Sequence, residues 1–273
     1  MAWCVVGCVA SPVAAAATPP PNVVLILCDD LGYGDLGCYG RTDIRTPALD
    51  RMAREGLRFT DFAVASALCT PSRAALLTGC YPGRVGLAAG VLRPEVTTGL
   101  HPDEVTLAEM FRGAGYATGL IGKWHLGFRG AMRPLGQGFD HYYGVLHNLD
   151  PPETAIFEPL GGTPVVRGDT VDHRPAEPAR ITQLYTAEAL RFVDEHAARP
   201  FFLMISHQMP HLPFDASPAF RGRSPAGLYG DVVEELDWSV GQLLDRLRAG
   251  PLAARTLVLF TSDNGPEQRT PGS

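Results

Sequence analysis

Four apolar runs rich in Val, Ile, Leu and Phe punctuate the chain: NVVLIL from Asn22, YATGLI from Tyr116, PFFLMI from Pro200 and TLVLFT from Thr256. Each is short, continuous and β-branched or aromatic in character, the pattern of a strand buried on both faces. Between them lie segments of helical period. TPALDRMAREG offers Thr46 as cap, Pro47 at the first helical position and Gly56 as a stop, and VTLAEMFRGAG repeats the arrangement from Thr106. LYTAEALRFVDEHA and YGDVVEELDWSVGQLLDRLRAG follow, the second with Val233, Leu236, Val240, Leu243, Leu244 and Leu247 on one stripe. Alternation of these elements predicts an α/β fold with a mostly parallel central sheet and helices on both faces. The stretch from Leu126 to Pro178 is rich in Gly and Pro and reads as a long functional loop region.

The residues just past each strand carry chemistry. Asp29 and Asp30 follow the first run, Lys123, Trp124 and His125 the second, Ser206, His207 and His211 the third, Asp263 and Asn264 the fourth. Ligands of open α/β sheets bind beyond the carboxyl ends of the strands, so parallel neighbours would bring these groups to one edge. Taken singly, Asp-Gly or Asn-Gly is ordinary turn chemistry. Together, two Asp from one strand and an Asp-Asn pair from another supply only hard oxygen ligands, which suit Ca²⁺ or Mg²⁺. Without a cation, adjacent carboxylates would repel and raise one another's pKa.

CTPSRAALLTG, from Cys69 to Gly79, adds a cysteine beside a helix start. Thr70 is a good N-cap and Pro71 suits the first helical position, which sets Cys69 just outside the N-terminus, where anions are attracted and a thiol pKa is lowered. Arg73, Lys123, His125 and His211 are the cations around this group. A metal, an arginine fork, a lysine and a helix N-terminus suit a compact tetrahedral oxyanion, so phosphate and sulfate esters are the candidate substrates.

Composition narrows the partners. The 273 residues, 45% of them hydrophobic, can bury a large core. With 23 basic against 29 acidic residues and a net charge of −6, the chain has no basic tract to follow a nucleic-acid backbone. Lys123 is its only lysine. Residues 1–21 are small and apolar and end in an Ala run and prolines, resembling an export signal, although no Lys or Arg precedes the apolar stretch. Export to a periplasmic, secreted or lysosome-like compartment is the expectation, and no later run is long enough for a transmembrane helix. Cys4 and Cys8 fall in this leader, while Cys28, Cys38 and Cys80 read as ordinary buried thiols outside any disulfide or zinc spacing.

CTPSR resembles the Cys-x-Pro-Ser-Arg signature of the type I sulfatases. AALLTGCYP is similar to the family's continuation of it, and NVVLILCDDLGYGDLGCYG, GKWHLG, SHQMPHLPF and TSDNGPE are similar to the family's four other blocks, in its order. The resemblance implies the alkaline phosphatase-like fold, with residues 22–273 as the N-terminal part of the catalytic domain. It also implies that a formylglycine-generating enzyme oxidises Cys69 to formylglycine, held as an aldehyde hydrate. One hydroxyl attacks the sulfur of a sulfate ester; the second loses its proton and expels sulfate, a collapse open only to a geminal diol. By the same resemblance Asp29, Asp30, Asp263 and Asn264 hold Ca²⁺, with Mg²⁺ the alternative, and the residue made from Cys69 completes the set. Asp263 would help deprotonate the nucleophile. Arg73 would hold the hydrate, Lys123 would bridge it to a sulfate oxygen, His125 would accept the second hydroxyl's proton, and His211 would protonate the leaving oxygen. His207 competes with His211 for that role, and Asn148 falls loosely where members carry a polar sulfate-pocket residue.

Family members continue beyond the Asp-Asn-Gly block with a further lysine and a smaller C-terminal subdomain, whereas nine residues follow Asn264 here. The chain therefore reads as an N-terminal fragment, with a sheet edge left uncovered. Alternatives to a sulfuric ester hydrolase are a phosphonate or phosphodiester hydrolase using the same nucleophile, and an inactive sulfate-binding fragment.

Overall fold

The computed structural model describes residues 20–151 and 153–267. The leader-like segment, with Cys4 and Cys8, lies outside the described residues apart from its last two positions. Seven strands form one sheet: β1 (Asn22–Asp29), β2 (Ala117–Gly122), β3 (His141–Gly144), β4 (Val165–Arg167), β5 (Thr170–His173), β6 (Phe201–Pro210) and β7 (Thr256–Ser262). Their order is β5-β4-β3-β2-β6-β1-β7. The pairs from β3 to β7 are parallel, and β4 and β5 join antiparallel at one edge. The four strands expected from the apolar runs are β1, β2, β6 and β7, adjacent at the centre and one edge of the sheet. The three others lie inside the stretch from Leu126 to Pro178, so the reading of that whole region as loop is corrected: three- and four-residue strands are too short to show a period.

Helices α1 (Pro47–Glu55), α2 (Cys69–Thr78), α3 (Leu107–Gly113), α4 (Pro178–His196) and α5 (Gly227–Arg248) cover the sheet. Side chains alternate along β1. Val24, Ile26 and Cys28 pack with α1, α4 and α5, whose contribution includes the full stripe from Val233 to Leu247. Leu25 and Leu27 pack on the other face with Ala74 and Leu77 of α2. Period two then carries Asp29 to the α2 face, directly toward the start of that helix. Thr106 caps α3 as expected, in a reciprocal capping box with Glu109.

Among the described residues, strand β7 pairs only with β1. Its Leu257 and Leu259 are 52% and 42% exposed, beside an apolar cleft of about 630 Å³ that also involves Tyr39, Leu57 and Phe260. No helix of the described residues is long and apolar enough to cross a membrane.

Candidate active site

Gly122 ends β2 at φ 116°, and a Cβ there would lie 1.8 Å from the Ser206 carbonyl oxygen of β6. Only glycine fits, and the close approach lets Lys123 N donate to that same oxygen at 2.8 Å. Two non-glycine residues among those described have a left-handed backbone: Asp30, φ 63°, just past β1, and His125, φ 65°, just past β2. Such geometry costs on the order of 1–3 kcal/mol per residue and concentrates at functional sites. Here it turns both side chains into the same edge of the sheet.

Asp29 is the hub. Its carboxylate accepts from Lys123 Nζ at 2.5 Å and from Cys69 Sγ at 3.3 Å, and Arg73 Nη2 lies 3.4 Å away. Arg73 also donates to Asp263 Oδ2 at 2.8 Å, to Ser206 Oγ at 2.6 Å and to Lys123 O at 3.0 Å. Asp30 N donates to Asp263 Oδ1 at 3.3 Å, and Asn264 Nδ2 donates to Asp30 Oδ1 at 2.5 Å. His211 Nε2 stands 3.7 Å from Asp30 Oδ2. Asp29, Asp30, Cys69, Arg73, Lys123, His211, Asp263 and Asn264 thus form one buried network drawn from four strand ends and one helix.

His207 is elsewhere. The β1–β6 register slips between Leu27, opposite Ser206, and Asp29, opposite Pro210. The extra β6 residues bulge, sending His207 toward α4 and α5, where Nε2 meets Ser239 Oγ at 3.4 Å and burial depresses its pKa to about 4. Of the two histidines, His211 reaches the site.

The helix start differs by one residue from the sequence reading. Leu68 is the N-cap, and Cys69 is the first residue of α2. Thr70 cannot cap because its hydroxyl is committed to tertiary bonds, donating to His125 O at 2.9 Å and accepting from Leu92 N at 3.1 Å. The expected low thiol pKa is also corrected: burial and then the Asp29 charge push the Cys69 thiol well above its ordinary value, despite Lys123 and Arg73. Cys69 therefore stands as a neutral thiol, a weak nucleophile.

The carboxylates are unevenly balanced. Burial would raise Asp29, but Lys123, His211 and Arg73 outweigh it and hold this carboxyl well below the usual range. Asp263 is pushed up, by burial and then by the Asp29 charge. Burial, followed by Asp29, also raises Asp30. Three carboxylates face two permanent cations, and Asp29, Asp30 and Asp263 each offer an oxygen within 4.8 Å of the others. Asn264 Oδ1 is buried without a hydrogen-bond partner among the described residues. This all-oxygen set with an excess of negative charge fits a hard dication. A second grouping, Asp29, Cys69 and His211, also satisfies the distances, with a sulfur and a nitrogen that suit a softer metal.

His125 Nε2 donates to Leu92 O at 2.9 Å, since a carbonyl can only accept, and Nδ1 is buried with no hydrogen-bond partner among the described residues. Burial, Lys123 and Arg73 hold the ring well below its ordinary pKa. Asn148 is buried, with its N and Nδ2 both donating to Glu153. Ser72, the serine of the signature, braces Asp263, and Ser206, named in the sequence only as following the third apolar run, braces Arg73; neither is given a site role there.

The sequence profile of the sulfatase family matches residues 21–272. The chain belongs to the sulfatase family. It is 44% identical over 270 residues to arylsulfatase A of Bos taurus, covering 92% of this chain and 53% of that protein. Identity to steryl-sulfatase of Mus musculus is 41% over 330 residues, covering 94% and 53%. The solved structure of Ps i-CgsB superposes on this sulfatase chain with a TM-score of 0.84 at 32% identity, covering 93% of this chain and 60% of that one. Type I sulfatase membership and the alkaline phosphatase-like fold agree with the reading of the five blocks. The chain spans about half the length of the curated relatives it matches.

Proposed function

We propose that this chain carries the nucleophile and metal-binding part of a sulfuric ester hydrolase acting on a sulfate monoester. The observation that carries the reading is Cys69 in the first turn of α2, its Sγ on Asp29, inside a buried net of Arg73, Lys123, Asp263 and Asn264. Conversion of Cys69 to formylglycine by a modifying enzyme would supply a geminal diol where the thiol itself is held neutral. Ca²⁺ or Mg²⁺, held by Asp29, Asp30, Asp263 and Asn264, would supply Lewis-acid polarisation of the sulfate and the attacking oxygen.

The chain's own residues then have separable tasks. Arg73 is fixed by Asp263, Ser206 and Lys123 O, yet its Nη2, 3.4 Å from Asp29, has no hydrogen-bond partner among the described residues, which leaves a buried donor for an oxyanion. Lys123 Nζ, anchored on Asp29, would bridge toward a sulfate oxygen. His125, neutral and bare at Nδ1, is the proton acceptor for the second hydroxyl. His211 would deliver a proton to the leaving oxygen from the Asp30 side. The leader-like residues 1–21 and the family membership support export as the location.

The test uses the full chain on an aryl sulfate and the matching aryl phosphonate. Sulfate release in excess of phosphonate cleavage is expected, and a preference for the phosphonate would overturn the substrate assignment. Chelator is expected to abolish release and lower Tm, with Ca²⁺ or Mg²⁺ restoring both; saturation at 100 times Kd stabilises a fold by about 2.7 kcal/mol. Unchanged Tm and turnover after metal removal would contradict the cation site.

A further inference from the structure

Glu153 belongs to none of the motif blocks, yet it is buried beside the site. Its Oε2 accepts from Asn148 N at 3.1 Å and its Oε1 from Asn148 Nδ2 at 3.2 Å. A carboxylate gripping the backbone and the side chain of one residue has little freedom to turn. So held, Oε2 lies 3.9 Å from His125 Nε2, on the side of the ring opposite the unpartnered Nδ1.

The surroundings of His125 give that placement its meaning. Lys123, two residues before it, and Arg73 of α2 oppose a positive ring; Asp29 of β1 favours one. From the loop after β3, Glu153 is the second anion facing it, and from the loop at residue 92 the ring meets a neutral carbonyl. Asp29 is already engaged by Lys123, Arg73 and Cys69. When Nδ1 takes a proton, the new charge is shared with Nε2–H, the edge nearest Glu153.

We propose that Glu153 is a positioning residue for His125: an anion fixed by Asn148 that, beside the Leu92 carbonyl holding Nε2–H, favours the imidazole with Nδ1 toward the reaction and stabilises the imidazolium once Nδ1 is protonated. The proton moves from the hydroxyl to Nδ1 and returns to solvent after release; Glu153 itself takes none. The arrangement follows the general logic of a carboxylate behind a histidine base. The raised pKa of the Glu153 carboxyl, caused by burial and opposed by Lys123 and the Asn148 donors, limits the device at low pH.

This inference rests on His125 serving as the base, so its test separates the two. In full-length enzyme, E153Q is expected to lower kcat about tenfold with KM unchanged. A carboxylate beside the ring raises its pKa, and a base must be neutral to act. Loss of the charge therefore moves the acid limb of kcat downward, by on the order of one pH unit. E153D, which keeps the charge, is expected to restore most of the wild-type profile. Should E153Q fail to fold, E153D carries the test, with a smaller shift in the same direction.

Ring ¹⁵N spectra without substrate read the same displacement independently of turnover. A His125 titration moved down in E153Q supports the positioning role even if no sulfate is released, a result that would count against the hydrolase reading alone. An unmoved limb and titration in E153Q, in protein that turns over sulfate, would overturn the positioning role alone.

Discussion

Asp29→Asn is expected to lower Tm by on the order of 10 °C and to eliminate turnover. The variant keeps the side chain's shape and removes one charge, but that charge faces Lys123 Nζ at 2.5 Å and Arg73 Nη2 at 3.4 Å, with all three side chains essentially excluded from water. Breaking a buried pair by removing one partner costs roughly 3–5 kcal/mol, because the other ion is left in a medium that cannot solvate it. In a domain of this size each kcal/mol is worth about 2–4 °C. The Cys69 thiol loses its acceptor and the oxygen set loses its most strongly ionised member in the same step. Thermal melting and sulfate release by one preparation check both halves. A variant as stable as wild type would show that Asp29 is not the charge centre described.

Replacement of Cys69 has an effect of similar size on activity with little on stability. Cys69→Ala removes one thiol-to-carboxylate hydrogen bond, worth about 1 kcal/mol. Turnover is expected to fall at least about a thousandfold, as it does when a nucleophile is deleted. Cys69→Ser separates the two stages. A serine hydroxyl can attack sulfur, but it has no second hydroxyl whose deprotonation expels sulfate, so a single burst of alcohol followed by a stall is expected in rapid-mixing kinetics. Steady multiple turnover by the serine variant would show that a geminal diol is unnecessary.

The central strands and their chemistry were legible because both signals are local. A short apolar run marks each of β1, β2, β6 and β7, and Asp29, Lys123, His211 and Asp263 stand at or just past their ends. The illegible features depend on partners distant in sequence. Thr70 has the look of an N-cap, but His125 and Leu92 claim its hydroxyl. The helix-terminus rule for a thiol fails at Cys69 because the fold buries it and then sets Asp29, forty residues away, beside it. His207 and His211 could be distinguished only through the bulge in β6. Glu153 gave no signal at all: a glutamate between prolines and a threonine becomes notable only when Asn148 and His125 are seen around it.

The most direct test of the central claim, that Cys69 is the precursor of the working nucleophile, is the mass of the tryptic peptide from Phe59 to Arg73. The protein should be expressed with its export route intact in a host that matures a control sulfatase. An aldehyde in place of the thiol is the expected result. An unmodified thiol beside a fully matured control would contradict the claim, leaving a neutral buried cysteine at the start of α2 as a structural group in an anion-binding site.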